Sequence, residues 1–343
     1  MLKGKPSGTL QRVWEFVKTF SDWILLGVGE ALAQFLGDRM PYAQLFSVLD
    51  PTISFPKAEH EKVPAFMLYV YAFAVPIAVL LVVNLAFGPG NLVRRAKLLN
   101  WSVLCLGTSV IFAQLFTEFV KFIIGRPRPD FLSRCQPDAA RAQAAFTATA
   151  VTLFSSTICT TTNTKALNDG FRSFPSGHSS MSFAGLTFLS LFLAGRFRLF
   201  AAHTVHGKHL WAYAICAAPL LLASFVTSSR VSDFRHRGTD VLAGASLGVF
   251  FAILAYRYYF PWLGSPLAGT PWMVLREEGE QGIEGYKTRS RSGSNGGAPL
   301  LPTTAQQSYR EAATPYTQTG DHMELQPVPT INVHEASYPP PNH

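Results

Sequence analysis

Charged side chains are scarce in this sequence. Asp, Glu, Lys and Arg together make up 15% of the 343 residues, whereas soluble domains average about 25%. Apolar residues account for 48% of the chain, and they are gathered in runs close to the ~20 residues that cross the hydrocarbon core of a bilayer. The shortage of charge therefore excludes an ordinary soluble domain and predicts a polytopic membrane protein.

The sequence also lacks the features of a nucleic-acid-binding protein. Its formal net charge is +8, but no basic helix and no platform of aromatic and basic residues accompanies that charge. We therefore expect no nucleic-acid partner. Basic loops between membrane spans and an anionic substrate explain the excess of Lys and Arg better.

Metal-binding patterns are missing as well. No group of His, Cys or carboxylate residues has the spacing of a metal site, so we expect neither a metal nor another cofactor. Of the four cysteines, Cys105 and Cys216 lie in apolar runs and are expected to be inert. Cys135 and Cys159 share one large loop. A disulfide between them is plausible if that loop is lumenal, although both can equally stay free.

No cleavable signal peptide is evident. The basic residues near the N-terminus are followed by an apolar run without a small-residue cleavage site. We therefore expect residues 1–18 to be a cytosolic N-terminal segment, and the first apolar run to remain as a membrane anchor.

Six apolar runs are long enough to be transmembrane helices. They cover approximately residues 19–37, 64–87, 98–120, 178–195, 210–228 and 240–261. The pattern predicts an all-α fold with six transmembrane helices in a membrane domain of residues 19–261. From residue 262 the character of the chain changes, and residues 286–343 are rich in Gly, Pro, Ser, Thr and Asn. Residues 262–343 are therefore predicted to be a disordered cytosolic tail.

Basic residues in the short loops predict the orientation in the membrane. These residues are Arg94, Arg95 and Lys97 in one loop, and Arg196, Arg198 and Lys208 in another. By the positive-inside rule these loops and both termini face the cytosol. The loops around 37–63, 121–177 and 229–239 then face the lumen or the exterior. The sequence leaves the compartment and the oligomeric state open.

The segment SRVSDFRHRGTD, directly before the last predicted span, contains His236 and Asp240. On a helix, side chains four residues apart lie on one face, so Asp240 is expected to accept the Nδ1–H of His236 and leave Nε2 as a nucleophile. The planar, permanently charged Arg230 suits phosphate oxygens. An interfacial arginine beside an ordinary loop histidine and a helix-start Asp explains this segment equally well when it is taken alone.

The segment PSGH directly precedes the fourth predicted span. Ser176 suits a helix N-cap, and Gly177 lets a ligand approach the backbone, whose N–H groups bind anions at a helix N-terminus. His178 then lies where it can protonate a leaving oxygen. A plain helix start beside a bystander histidine is the alternative.

The segment KFIIGRPRP follows the third predicted span. Pro127 and Pro129 force the residues before them towards extended backbone, so Arg128 projects from a stiff loop, seven residues after Lys121. Taken alone, this segment is better explained by cations that snorkel to the membrane interface.

All three segments lie on one side of the predicted membrane, and their order and spacing resemble the three-part signature of the type 2 phosphatidic acid phosphatase superfamily. The matching residues are Lys121-x6-Arg128-Pro129, Pro175-Ser176-Gly177-His178 and Ser229-Arg230-x5-His236-x3-Asp240. Within the superfamily the chain is similar to the eukaryotic lipid phosphate phosphatases, especially the fungal diacylglycerol pyrophosphate phosphatase type, from about residue 20 to 260. One departure is Arg237, where many members carry a second histidine, and this difference concerns the phosphate pocket and not the nucleophile.

The resemblance implies a metal-independent lipid phosphate phosphatase whose active site is formed by residues 121–178 and 229–240. It implies that Lys121, Arg128 and Arg230 hold the phosphate, aided by Ser176 and Gly177. His236 would attack phosphorus and become a phosphohistidine, with Asp240 orienting it and His178 protonating the leaving lipid oxygen. The implied substrates are phosphorylated glycerolipids: phosphatidate, lysophosphatidate and/or diacylglycerol pyrophosphate.

The motifs specify the phosphoryl group and not its substituent. A lipid phosphotransferase or another phosphomonoesterase on the same fold therefore stays open. A non-catalytic membrane adaptor would be expected to have lost motif residues, and none is missing here. A vanadium haloperoxidase shares the pocket residues, but six apolar spans argue against a soluble oxidase.

Overall fold

The computed structural model describes residues 8–149, 153–201 and 209–279. These residues contain no β-strand, and only isolated bridges join Phe46 to Phe154 and Pro137 to Cys159. The helices, in chain order, are α1 (Gly8–Asp38), α2 (Ala65–Ala86), α3 (Leu92–Ile124), α4 (Phe131–Cys135), α5 (Ala139–Thr149), α6 (Thr164–Gly170), α7 (Gly177–Arg196), α8 (Leu210–Ser232), α9 (Gly238–Tyr259) and α10 (residues 272–279). The all-α prediction is confirmed for this part of the chain.

The long helices form a bundle around α7. Helix α7 packs against α9, α8, α3 and α2, while α1 packs against α3. Of the 20 residues of α7, 15 are buried. A central helix that touches protein on every side does not have to be apolar throughout, and Ser180 of α7 bonds to a neighbouring helix. The hydroxyl of Thr117 on α3 donates to Ser180 Oγ at 2.8 Å.

Four helices are long and apolar enough to cross a membrane by length and composition: α2, α3, α8 and α9. The prediction of six spans also included α1 and α7, which are less apolar. Polar side chains of both helices have partners within the bundle: Asp22 of α1 accepts the hydroxyl of Tyr259 at 3.0 Å, and Ser180 of α7 bonds to Thr117. Burial of polar groups inside a bundle is the usual arrangement for polar residues at membrane depth.

A smaller layer covers the end of the bundle where α3 stops. It consists of residues 39–63 together with α4, α5 and α6, and it has an apolar cluster of its own: Phe46, Ile53, Phe131, Cys135, Ala142, Ile158 and Phe171. Within this layer Cys135 and Cys159 form a disulfide, the pairing that the sequence left open. Cys105 and Cys216 are free and buried in the bundle.

The packed region differs from the predicted domain at both ends. Helix α1 begins at Gly8, so it includes much of the segment predicted to precede the first span. After α9, residues 262–279 pack on the bundle: Val274 and Leu275 of α10 are buried, and Glu277 and Glu278 pair with Lys97 and Arg94 of α3. The chain is therefore ordered past the predicted start of the tail at residue 262. Residues 1–7 and the rest of the predicted tail, 280–343, lie outside the described residues.

Candidate active site

The end of α3 directs the first motif into the site. Helix α3 stops at Gly125, which has the left-handed φ of +62° and donates its N–H to the Lys121 carbonyl at 3.1 Å. A Cβ on residue 125 would lie 1.4 Å from the carbonyl oxygen of Tyr42, so only glycine fits. The turn leaves Lys121 in the last turn of α3 and leads the chain towards Arg128.

The second and third motifs are fixed against each other by backbone contacts. Ser176 caps α7, where its Oγ lies 3.5 Å from the N–H of Ser179, and its own N–H donates to the Asp240 carbonyl at 3.0 Å. A Cβ on Gly244 would lie 2.4 Å from the Ser176 carbonyl oxygen, so the first turns of α7 and α9 touch closely. The PSGH segment is thereby held beside the start of α9.

The first motif joins the other two through Lys121 and Arg126. A Cβ on Gly177 would lie 3.0 Å from Lys121 Nζ. Arg126 donates from Nη1 to Asp240 Oδ1 at 2.9 Å, and its carbonyl accepts the N–H of Ser173 at 3.1 Å. The three segments that the sequence placed on one side of the membrane therefore meet at one end of the bundle.

The three predicted phosphate-binding cations are buried, with exposures of 1% for Arg230, 8% for Lys121 and 9% for Arg128. Lys121 Nζ lies 2.6 Å from Glu118 Oε1. Arg128 Nη2 lies 2.7 Å from Asp169 Oδ1. Desolvation raises the pKa of Asp169, but the charges of neighbouring arginines, with Arg128 first among them, hold it well below its usual range. The acid partner therefore stays ionised.

Arg230 bridges two carboxylates with its planar fork. Its Nη1 lies 2.8 Å from Glu61 Oε2 and its Nη2 lies 2.6 Å from Asp233 Oδ2. Glu61 also pairs with Arg235, and Asp233 accepts the N–H of Lys62 at 2.9 Å. Desolvation raises the pKa of Glu61, but the hydrogen bond from Arg230 and the charge of Arg235 bring it below its usual value. The segment before α2 is thus tied to the third motif.

His236 is 4% exposed, and its Nδ1 lies 2.7 Å from the carbonyl oxygen of Ser173. A carbonyl can only accept, so Nδ1 carries the proton of the neutral ring and Nε2 keeps its lone pair. Burial, followed by the charges of Arg128 and Lys121, holds the pKa of His236 well below its usual range. The ring is therefore kept in its neutral, nucleophilic form.

Asp240 does not take the Nδ1–H of His236 directly, as the four-residue spacing predicted. The distance from Asp240 Oδ2 to Nδ1 is 4.0 Å. Helix α9 begins only at Gly238, so His236 lies outside it and the helical-face argument does not apply. Oδ2 instead accepts the Ser173 hydroxyl at 2.7 Å and the Arg237 N–H at 2.9 Å. Asp240 therefore supports His236 through the residue whose carbonyl holds the ring.

His178 lies in the first turn of α7, where its Nε2 is 3.1 Å from the carbonyl oxygen of Val63. Because a carbonyl only accepts, Nε2 is the nitrogen that carries the hydrogen in this contact. His178 also lines a cleft of about 490 Å³, together with Lys121 and Gly177. The second histidine therefore faces open space, as a proton donor to a leaving group requires.

The sequence reasoning missed the carboxylate partners of the cations. Two of them carry a local signal, because Glu118 is three residues from Lys121 and Asp233 is three residues from Arg230, a spacing that brings helical side chains together. Glu61 has no such signal. Ser173, which precedes the PSGH segment, likewise has no spacing that marks it as a site residue.

Lys and Arg side chains supply the positive charge of the site. Within the described ranges, no three His, Cys, Asp or Glu side chains come together as a group that could hold a metal ion.

Comparison with known proteins agrees with this arrangement. Residues 102–263, which contain all three motifs, match the family model of the PAP2 superfamily. "Probable diacylglycerol pyrophosphate phosphatase 1" of Schizosaccharomyces pombe is 39% identical over 251 residues, which cover 72% of this chain and 83% of the relative. "Diacylglycerol pyrophosphate phosphatase 1" of Saccharomyces cerevisiae is 37% identical over 254 residues, 74% of this chain and 82% of the relative.

A plant protein is similar over a comparable length. "Lipid phosphate phosphatase 2" of Arabidopsis thaliana is 33% identical over 243 residues, 69% of this chain and 72% of the relative. No solved structure gives a significant match. Because these relatives exceed 30% identity and are covered over most of their length, the chain belongs to the PAP2 superfamily, as its three motifs predicted.

Proposed function

We propose that this chain is a metal-independent lipid phosphate phosphatase that hydrolyses phosphatidate, lysophosphatidate and/or diacylglycerol pyrophosphate through a phosphohistidine. The observation that carries the proposal is the hydrogen bond between His236 Nδ1 and the Ser173 carbonyl, 2.7 Å long. It leaves Nε2 as the nucleophile of a buried ring whose pKa is lowered by burial and by the charges of the buried Arg128 and Lys121. The names of the relatives support phosphorylated lipids as the substrate class.

The first step forms the phosphohistidine. Lys121, Arg128 and Arg230 bind the non-bridging oxygens and stabilise the charge that develops on them. The free N–H groups of the first turn of α7 add an anion site of their own. His236 Nε2 attacks phosphorus, the bond from phosphorus to the bridging oxygen breaks, and the electron pair stays on that oxygen. His178 gives this oxygen a proton as it leaves.

The second step releases phosphate. Water attacks the phosphorus of the phosphohistidine, the bond to Nε2 breaks, and His178 accepts the proton from the water. The products are orthophosphate and the free His236 ring. Asp240 acts through Ser173, whose carbonyl holds Nδ1–H in both steps.

The proposal includes six membrane-spanning helices, with cytosolic termini and an active site facing the lumen or exterior. Four helices meet the length and apolarity of a span, and α1 and α7 turn polar groups towards the bundle. Arg94, Lys97 and Arg196 lie at the end of the bundle opposite to the motifs, which supports a cytosolic position for that end. The phosphate site then lies near the level of lipid headgroups.

Purified full-length protein in mixed micelles tests this function. We expect release of orthophosphate from a panel of lipid phosphates, unchanged by excess EDTA. His236→Asn should lower turnover by about 10⁴-fold or more, and His178→Asn by about 10²–10⁴-fold.

Substantial activity of the His236 variant would contradict the assigned nucleophile. Loss of activity in EDTA that magnesium restores would contradict metal independence. Transfer of the phosphoryl group to an added alcohol in place of water would indicate a phosphotransferase.

A further inference from the structure

The cleft beside His178 extends the site in a direction that the three motifs do not describe. Of the two motif histidines, His178 is the one that lines it. In the proposed reaction His236 attacks the phosphorus and His178 serves the departing oxygen. The cleft therefore lies on the leaving-group side of the phosphoryl group.

The lining of the cleft changes from charged to uncharged along the helices that form it. Apolar residues come from the inner turns: Ala33 of α1, Leu68 of α2 and Met181 of α7. Met181 lies about one turn further into the bundle than His178. The charged lining residues come from the ends of α1 and α3, from α6 and from the residue that follows it at 172, whereas the inner turns add the uncharged amides of Gln34 and Gln114. A leaving group with a polar part near the phosphoryl group and an apolar part beyond it fits this gradient, which is the chemistry of a lipid.

Helix α6 divides its side chains between the phosphate site and the cleft. Asp169 pairs with Arg128 at 2.7 Å and with Arg134 at 2.8 Å. Lys165 and Asn168, three residues apart and so on one helical face, line the cleft. Lys165 is exposed and makes no ion pair with a described residue. Its ammonium group is therefore available to an anion in the cleft.

Most of the other charged groups that line the cleft have partners within the protein, so Lys165 is the cation that we expect to bind an anion there. Four cations and three carboxylates line it: Arg39, Lys121, Lys165 and Arg172, and Asp38, Glu118 and Asp169. Glu118 is paired with both Lys121 and Arg172, and Asp169 is paired with arginines on its other side. Arg39 follows Asp38 at the end of α1, and its guanidinium stacks on the Phe35 ring, with its Cζ 4.3 Å from the ring centre.

We propose that the cleft is a leaving-group site in which Lys165, with Asn168 beside it, binds the second phosphate of a diphosphate lipid. The inference rests on the proposed function. When His236 attacks the terminal phosphorus, the bond from this phosphorus to the bridging oxygen breaks, and the electron pair stays on the bridging oxygen. That oxygen then belongs to the phosphate monoester of the departing lipid, which lies in the cleft. With a monophosphate lipid an uncharged glycerol occupies the same place, so Lys165 has no charge to bind.

Kinetics on two substrates test the inference. For Lys165→Gln we expect kcat/KM for diacylglycerol pyrophosphate to fall roughly tenfold, in the range of a hydrogen bond to a charged group. The value for phosphatidate should change by less than about twofold, because the effect of an exposed charge on an uncharged leaving group is small. Lys165→Arg should keep the wild-type ratio of the two values. Lys57→Gln, which removes an equally exposed lysine outside the cleft, should leave both values unchanged.

Other outcomes overturn the inference. An equal fall for both lipids, or no change in their ratio, would show that Lys165 does not distinguish the second phosphate. If the wild-type protein hydrolyses phosphatidate but not the diphosphate lipid, the inference fails while the proposed function stands. If it releases phosphate from no lipid phosphate, both fail.

Discussion

The two ends of the helical bundle use the same ion-pair chemistry in different surroundings. At the end away from the motifs, Lys97 pairs with Glu277, and both side chains are about two-fifths exposed. At the motif end, Arg230 pairs with Asp233, and these side chains are 2% and 3% exposed. Composition does not distinguish the two ends, because each brings Lys or Arg together with Asp or Glu.

Burial gives the two ends different functions. Exposed pairs contribute about 0–1 kcal/mol to stability, because water and salt screen them. The two partners of a buried pair depend on each other: removal of one leaves the other as an uncompensated buried charge, which lowers stability by about 3–5 kcal/mol. A buried cation is also a stronger anion site, since little water competes with the ligand. The end away from the motifs therefore fastens α10 to α3, whereas in the proposed function the motif end binds phosphate.

Matched arginine substitutions should separate the two ends most clearly. Arg230→Gln should lower kcat/KM for phosphatidate by roughly 10²–10³-fold, the range for loss of one preorganised charge-stabilising donor. It also removes the cation that Glu61 and Asp233 share, which leaves Glu61 with Arg235 and Asp233 with the Lys62 N–H. Arg94→Gln should change kcat/KM by less than about twofold. Steady-state kinetics of the purified variants measure this difference, and comparable losses in the two proteins would remove the distinction between the ends.

Matched glutamate substitutions test the carboxylate partners. Glu118→Gln leaves Lys121 and Arg172 as neighbouring cations without a carboxylate between them. The resulting shift of Lys121 should lower kcat/KM by about 10–10²-fold, since misplacement of a binding group by ~1 Å costs up to about 10²-fold. Glu277→Gln, at the end away from the motifs, is the control, and its kcat/KM should stay within about twofold of the wild-type value. An unaffected Glu118 variant would show that Lys121 is positioned without its help.

Ser173→Ala tests whether Asp240 acts through Ser173. The change removes the hydroxyl that Asp240 accepts at 2.7 Å and leaves in place the carbonyl that holds His236. We expect kcat to fall about tenfold, the effect of losing one hydrogen bond to a charged group, with little change in KM. If Ser173→Ala is fully active while Asp240→Asn is not, Asp240 does not act through Ser173, and its effect comes from direct contact with His236 or from its bonds to Arg126 and the Arg237 N–H.

The smallest expected effect is a response to pH that is weaker than usual. The pKa of His236 is lowered by burial and then by Arg128 and Lys121, so the ring stays neutral as pH falls through ~6.5, where an ordinary histidine gains a proton. Trapping of the phosphoenzyme in single turnovers should show no acidic decline in rate between roughly pH 7 and 5.5, because His236 stays neutral there and a falling pH favours the protonated form of the proton donor His178. Lys121→Gln removes one of the cations and should move the acidic decline to higher pH. A decline of the wild-type single-turnover rate centred near pH 6.5 would contradict a lowered pKa of His236.

Much of the site could be predicted because its signals are local. Helix starts depend on short capping segments, and the predicted starts at 178 and 240 lie within two residues of Gly177 and Gly238. The error about Asp240 also has a local origin, since the argument extended α9 back to His236. Other features carry no local signal. Glu61 and Arg230 are 169 residues apart, and Asp169 and Arg128 are 41 residues apart.

By itself, the sequence determined the superfamily, the phosphoryl chemistry and the helical membrane class. These depend on residue types at fixed spacings and on long apolar runs, which can be recognised in the sequence without any tertiary contact. Only the tertiary structure decided that Ser173 lies between Asp240 and His236, that residues 262–279 pack on the bundle, and that Lys165 faces the cleft. The reason is physical: burial and pairing at each of these places come from segments far apart in the chain, and their contacts exist only once the helices have packed.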